Sequence, residues 1–342
     1  MENITLGSTG ITVPQNGFGA LPVQRVDFET AKEILRAAYD GGMRFFDTAR
    51  AYSDSEEKIG YAISDIRDDI YIATKTTAKT PEAFWRDLET SLKNMKTDHV
   101  DIYQFHQADQ MYKLGDGTGM YEAMVEAKAA GKIRHIGITT HKIGVAQEAI
   151  ESGLYETLQY PFSYISSEKE IDLVRQCKVH NMGFIAMKGL AGGLLNNPEA
   201  CMAFMSQFDN VIPIWGIQKM SELNDWLAFM DETPRMNPQI QEFIDSERAE
   251  LVGDFCRGCG YCEPCPAGIT IHQCARISLM LRRAPSKALL EPQMQAEMKK
   301  IEGCLECGAC KSKCPYELDT PNLLKQNYED YKRVLAGQVK VD

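Results

Sequence analysis

The chain of 342 residues has no uninterrupted apolar run of the length a membrane-spanning helix requires, so a span of that kind is not expected. It also lacks an excess of positive charge. Lys and Arg number 37 against 48 Asp and Glu, a net of −11, whereas a phosphate backbone calls for a basic face. Neither a membrane nor a nucleic acid is therefore expected as a partner. The opening MENITLGSTG has no basic stretch followed by an apolar one, so no export signal is read and a cytoplasmic location is expected. Low-complexity tracts are missing too, and His99, His135, His141, His180 and His272 show no metal-ligand spacing. What remains is an ordinary globular composition, 44% hydrophobic and 25% charged, in a chain long enough for a large core and a smaller appendage.

Cysteine is present and concentrated. Eight of the 11 cysteines lie in two runs, Cys256, Cys259, Cys262 and Cys265 followed by Pro266, and Cys304, Cys307, Cys310 and Cys314 followed by Pro315. A cubane [4Fe-4S] core needs four converging soft thiolates, and two-residue spacers let three cysteines of one loop reach three corners. Zinc ribbons use two cysteines per knuckle, and three cysteines within seven residues cannot all satisfy disulfide geometry. Two [4Fe-4S] clusters are therefore expected. In the bacterial ferredoxin arrangement, which the second run matches, the cysteine before proline in each run ligates the other cluster. That arrangement assigns Cys256, Cys259, Cys262 and Cys314 to one cluster and Cys304, Cys307, Cys310 and Cys265 to the other. The first run has two residues rather than three before Cys265, so the number of clusters is better defined than the partition of ligands. So many thiolates suit an anaerobic or strongly reducing cytosol.

Upstream, short apolar strands alternate with helical patterns. After a hairpin of Ile4–Leu6 and Ile11–Val13 around Gly7-Ser8-Thr9-Gly10, the strand candidates are Asn16–Gly19, Arg44–Asp47, Ile70–Lys75, Val100–His106, Ile133–Thr139, Thr157–Tyr160, Gly183–Met187 and Val211–Trp215. Between them, Ala31, Ile34, Leu35, Ala38 and Tyr39 recur at helical spacing, and Thr80-Pro81 opens another helix as cap and first-turn residue. Eight such units need about 250 residues, close to what precedes Cys256. The expected fold is thus α/β: a (β/α)8 TIM barrel at 1–235, a linker and helix at 236–252, and a small, mainly helical ferredoxin-like iron-sulfur domain at 253–342. Asp231–Gln239, with Thr233-Pro234 and Asn237-Pro238, is the linker, and Gln241–Gly253 is helical.

Chemistry in such barrels sits at the C-terminal ends of strands. There the sequence places Asp47, with Tyr52 shortly after it, Lys75 and His106, four ionisable groups converging on one mouth. On Phe46-Asp47-Thr48-Ala49 with Tyr52, Ile72-Ala73-Thr74-Lys75 and Asp101-Ile102-Tyr103-Gln104-Phe105-His106, the chain resembles the aldo-keto reductase family. Ile136-Gly137-Ile138-Thr139, Gln159-Tyr160 and Met187-Lys188-Gly189-Leu190-Ala191-Gly192-Gly193 extend the likeness along most of the barrel. With the cysteine runs attached, the chain is similar to the subgroup of these reductases that carries a C-terminal ferredoxin module.

The resemblance implies interconversion of a carbonyl and an alcohol by hydride transfer with NADPH or NADH, on a small-molecule substrate. Tyr52 would be general acid/base, Lys75 would lower its pKa, Asp47 would hold the Lys75 ammonium, and His106 would orient the carbonyl oxygen. It further implies that Thr139 and Gln159 contact the nicotinamide amide, that Met187 stands where a tyrosine often stacks on the ring, and that Gly216 and Lys219 lie in the segment binding the adenosine phosphate. Thr140 replaces the family's usual Asn. The clusters would then stabilise the C-terminal domain or relay electrons. The alternative is a ferredoxin-linked electron-transfer protein whose barrel no longer uses a nicotinamide cofactor conventionally. Arg276, Arg282 and Arg283 form a basic patch that either solvates a helix or docks an acidic ferredoxin or flavodoxin. Cys177, Cys201 and Cys274 are expected to be packing thiols.

Overall fold

A computed structural model describes residues 1–251, 255–283 and 286–341, which divide into two compact units: Met1–Gly189 with Pro198–Gln241, and Leu190–Asn197 with Glu242–Asp342. The expected boundary between 252 and 253, and the expected helix end at Gly253, lie outside the described residues.

In the first unit, strands β1 (Asn3–Thr5) and β2 (Thr12–Pro14) pair antiparallel with Ile4 opposite Val13. Ile4, Leu6, Ile11 and Val13 pack against Phe45, Ile102, Ile185 and Ile212. The hairpin tip bridges Met182, just ahead of a barrel strand, which closes the end of the barrel where strands begin. Gly7 is required at this tip, because its φ is +50° and a Cβ there would stand 2.4 Å from the Gly183 nitrogen.

Eight parallel strands close the barrel in the order β10-β3-β4-β5-β6-β7-β8-β9. They are β3 (Gly17–Gly19), β4 (Phe45–Asp47), β5 (Tyr71–Thr76), β6 (Val100–Phe105), β7 (Ile133–Thr139), β8 (Thr157–Pro161), β9 (Gly183–Met187) and β10 (Val211–Gly216). The intervening helices are α1 (Phe28–Asp40), α2 (Ser55–Ile63), α3 (Pro81–Met95), α4 (Met120–Ala129), α5 (Ile143–Ser152), α6 (Glu168–Val179), α7 (Pro198–Met205) and α8 (Met220–Asp231). Helix α1 buries Ala31, Ile34, Leu35 and Ala38 along one stripe and begins where Asp27 accepts from Thr30 N. Thr80 caps α3 in the same way, with Pro81 in its first turn.

After α9 (Pro238–Glu250), the second unit is built from short helices: α10 (Ile271–Cys274), α11 (Ile277–Arg283), α12 (Pro292–Lys299), α13 (Ala309–Ser312) and the longer α14 (Thr320–Leu335). Its core joins Ile269, Ile277, Leu281, Met298, Leu324 and Tyr331 with Cys256, Cys262, Cys274 and Cys310. Helices α10 and α11 are separated at Ala275-Arg276, so Arg276 stands at a junction between them rather than on a continuous helix face. Among the described residues no helix is long and apolar enough to cross a membrane.

Candidate active site and cysteine cradles

The ends of β4, β5 and β6 bring Asp47, Lys75 and His106 together with Tyr52, which stands on the turn ahead of α2. Lys75 Nζ donates to Asp47 Oδ1 at 2.6 Å and to the Thr48 carbonyl at 2.6 Å, and both side chains of the pair are fully buried. Burial pushes the Asp47 carboxyl up and pulls the Lys75 ammonium down, and each charge opposes the shift of the other. The ammonium lies 5.3 Å from the centre of the Tyr52 ring, and Tyr52 meets His106 edge-on at 5.6 Å between ring centres.

Two features differ from the sequence reading. Among the described residues the hydrogen bonds of the Lys75 ammonium go to Asp47 and Thr48, and none reaches Tyr52. Burial, reinforced by the Asp47 charge, accordingly holds the Tyr52 hydroxyl above its ordinary pKa rather than below it. His106 is held neutral, its pKa pulled down to about 3 by burial and by the nearby Lys75 charge, and its Nδ1 is buried without a protein partner. A second histidine that the sequence did not single out, His141, is buried two residues beyond β7. It lies close enough to His106 and Lys188 for both to hold its pKa well below the usual value, after burial itself. Only its place just past a strand end could have drawn attention to it.

The residues expected to contact nicotinamide are at strand ends, as drawn from the sequence, but already have partners. Gln159 is buried, accepts from Gln104 Nε2 at 2.8 Å and donates to Asp47 Oδ1 at 3.4 Å. Thr139 Oγ1 accepts from Gln107 N, and Thr140 Oγ1 donates to the Ala108 carbonyl. Met187 ends β9 and is half-buried, while Gly216 and Lys219 are exposed, with Lys219 immediately before α8. The Glu222 carboxylate accepts from Gln218 N and Lys219 N at this helix start. A basic residue missed in the sequence also reaches it: Arg25, on the short helical turn after β3, donates to Gln218 at 3.5 Å.

In the second unit, Cys256, Cys259, Cys262 and Cys314 line one cavity, and Cys262, Cys265, Cys304, Cys307 and Cys310 line another. Cys314 thus stands with the first run and Cys265 with the second. Among the described residues no cysteine forms a disulfide, and no three His, Cys, Asp or Glu side chains converge as a single metal ion would need. Gly258 N donates to Cys256 Sγ at 3.4 Å, and Cys307 is the one exposed thiol of the set. Cys177, Cys201 and Cys274 are buried. The expected basic patch is not a free surface. Arg282 forks onto Asp330 at 2.6 and 2.9 Å, and Arg283 forks onto Glu247 and reaches Glu250 at 2.9 Å. Arg276 binds the carbonyls of Ala191 and Gly192.

A closed parallel barrel carrying this quartet at its strand ends, followed by eight cysteines around two cavities, defines a two-part chain of reductase barrel and iron-sulfur module. Residues 14–227 match the aldo/keto reductase family and residues 255–319 match a 4Fe-4S dicluster domain, so the chain belongs to the aldo/keto reductase family and carries a C-terminal 4Fe-4S dicluster domain. It is 31% identical over 214 residues to the aldo-keto reductase YhdN of Bacillus subtilis, which covers 57% of this chain and 64% of that protein. It is 28% identical over 216 residues to L-galactose dehydrogenase of Arabidopsis thaliana, covering 57% and 67%. Among solved structures, the barrel fold is shared with the holo form of an aldo-keto reductase from Bacillus halodurans, at TM-score 0.63, 20% identity and 72% and 96% coverage. It is shared equally with an aldo-keto reductase from Klebsiella pneumoniae in complex with NADPH, at TM-score 0.60, 22% identity and 72% and 95% coverage.

Proposed function

We propose that this protein reduces a small carbonyl compound to an alcohol, and catalyses the reverse, by hydride transfer with NADPH, while two [4Fe-4S] clusters occupy the cysteine cradles. The buried Lys75–Asp47 pair beneath the Tyr52 and His106 rings carries this reading. When bound, the nicotinamide supplies the hydride and the clusters supply one-electron storage. The protein's own groups do the rest. Neutral His106 donates a hydrogen bond to the substrate carbonyl oxygen and so polarises it, as a neutral imidazole can at any pH well above about 3. Tyr52 keeps its proton because burial raises its pKa, and it delivers that proton to the alkoxide as charge develops there. Lys75, fixed by Asp47 and Thr48, supplies positive charge against which the resulting phenolate is stabilised. The Gln104–Gln159–Asp47 chain of side chains fixes the Asp47 carboxylate in turn.

Arg25 and Lys219 suit a nucleotide 2'-phosphate: both are exposed, and Arg25 contacts Gln218, the neighbour of Lys219. For the clusters, Cys256, Cys259, Cys262 and Cys314 form one ligand set and Cys304, Cys307, Cys310 and Cys265 the other, in keeping with the cavity each set lines. A second reading is a ferredoxin-linked electron-transfer protein in which the barrel does not use nicotinamide conventionally. It is favoured by the Gln159 amide, whose groups are bonded to Gln104 and Asp47. NADPH consumption against a panel of small aldehydes, ketones and sugars under anaerobic conditions separates the two. Turnover that disappears in Tyr52→Phe supports the reductase, and reduction of the clusters by ferredoxin with no NADPH turnover on any compound supports the other.

A further inference from the structure

The first cysteine loop holds a positive charge that cluster ligation alone does not require. Arg276 sits at the break between α10 and α11, and its guanidinium is wedged between two glycines. A Cβ on Gly258 would lie 2.5 Å from its Nη1, and a Cβ on Gly192 would lie 2.8 Å from the same atom. Both glycines have positive φ, +62° and +68°, so each is suited to its turn and at the same time leaves room for the guanidinium. Gly258 lies between Cys256 and Cys259 and donates its N–H to Cys256 Sγ, which puts the arginine against the ligand turn itself. On its other side Arg276 Nη2 donates to the Ala191 and Gly192 carbonyls at 3.2 and 3.0 Å and contacts Met280 Sδ at 3.2 Å. Among the described residues no carboxylate forms an ion pair with it, unlike Arg282 and Arg283. Its Nε is buried without a protein acceptor.

A cationic group beside a thiolate-ligated core stabilises the more negative, reduced state, and hydrogen bonds to the sulfurs act in the same direction. We propose that Arg276 is a positioning residue that raises the reduction potential of the cluster held by Cys256, Cys259, Cys262 and Cys314 relative to the other cluster, and anchors its ligand turn to residues 191 and 192. This rests on the two-cluster reading above. The other ligand set has no equivalent among the described residues. Lys325, whose charge is felt at Cys304 of that set, is paired with Glu306.

The test uses the full chain with both clusters loaded, comparing wild type, Arg276→Met and Arg276→Lys by iron and sulfide content and by anaerobic redox titration followed by electron paramagnetic resonance. In Arg276→Met one of two reduction waves is expected to move to lower potential, changing the reduced-to-oxidised ratio of that cluster about tenfold at fixed ambient potential, or about 59 mV for one electron. The second wave stays in place, and Arg276→Lys, which keeps the charge, restores most of the shift. Iron lost by Arg276→Met but kept by Arg276→Lys also supports the role. Two unchanged waves at full iron content, or equal iron loss from both variants, would overturn it. Wild-type protein that never binds about eight irons would instead refute the two-cluster reading on which it stands.

Discussion

Lys75 bonds Asp47 at 2.6 Å inside the barrel mouth and gives a second proton to the Thr48 carbonyl at 2.6 Å, while the Tyr52 ring lies over the ammonium at 5.3 Å with no hydrogen bond between the two side chains. Burial and the Asp47 charge together keep the Tyr52 hydroxyl protonated over a wide pH range. In the proposed reaction the donor is therefore present in its acid form, although a raised pKa makes it a weaker acid that gives up its proton only as charge develops on the alkoxide.

The pH dependence of reduction should show this. Tyr52 acts while protonated, hence below its raised pKa, and His106 acts while neutral, hence above about 3. The kcat for carbonyl reduction is expected to be flat from about pH 5 to about pH 9, since the ordinary tyrosine value of about 10 is the lower bound for the alkaline limb. Alcohol oxidation should rise across the same range as phenolate becomes accessible. An alkaline limb for reduction near neutral pH would show that Lys75 does lower the Tyr52 pKa.

Substituting Tyr52→Phe removes the proton donor and leaves the packing on His106 and Lys75. General acid catalysis contributes about 10²–10⁴ in rate, so kcat should fall by that factor with little change in cofactor affinity or thermal stability. Retention of more than about a tenth of wild-type kcat would assign proton transfer to another group.

Removing Lys75 alone leaves a buried carboxylate without its counter-ion. Lys75→Met is expected to cost about 3–5 kcal/mol in denaturant unfolding at neutral pH, while Asp47→Asn combined with Lys75→Met recovers part of it. With Lys75 gone, only the hydrogen bonds of the two glutamines oppose the upward push of burial on Asp47, which is the largest influence on it, so the folded protein holds a proton that the unfolded chain releases. The loss should therefore grow as pH rises above about 4, the ordinary Asp value, and shrink below it. A loss independent of pH would mean that Asp47 does not carry the charge.

Arg25 and Lys219 enter through nucleotide preference. Arg25→Ala with Lys219→Ala should raise the NADPH dissociation constant at least tenfold, about 1.4 kcal/mol or more, and leave NADH nearly unaffected. An equal change for both nucleotides would place the 2'-phosphate elsewhere.

Much of this was legible in the sequence for reasons that are local. The stripe of Ala31, Ile34, Leu35 and Ala38 needs only a 3.6-residue period, and Thr80-Pro81 is a helix start written in adjacent residues. Asp47, Lys75 and His106 end neighbouring strands, so counting strands was enough to bring them together. What depends on distant packing was hidden. Arg25 reaches Gln218 across 193 residues of sequence, and Arg283 turns from a surface charge into a buried partner of Glu247 only when α9 packs beside α11. Arg276 could not be seen between Gly192 and Gly258, because each glycine reads as an ordinary turn until the guanidinium fills the space beside it. The surroundings of Tyr52 were hidden for a similar reason: the sequence names the lysine but not the carbonyl of Thr48 that takes one of its hydrogen bonds, nor the depth at which the tyrosine is buried.

The central claim is that the barrel binds a reduced nicotinamide cofactor above the Tyr52 quartet. Anaerobic calorimetric titration of the cluster-loaded protein with NADPH, and separately with NADH, tests it most directly. The account predicts one-to-one binding of NADPH with a dissociation constant in the micromolar range or tighter, about −8 kcal/mol, and weaker binding of NADH. No heat with either nucleotide, from protein holding its full complement of iron, would contradict it.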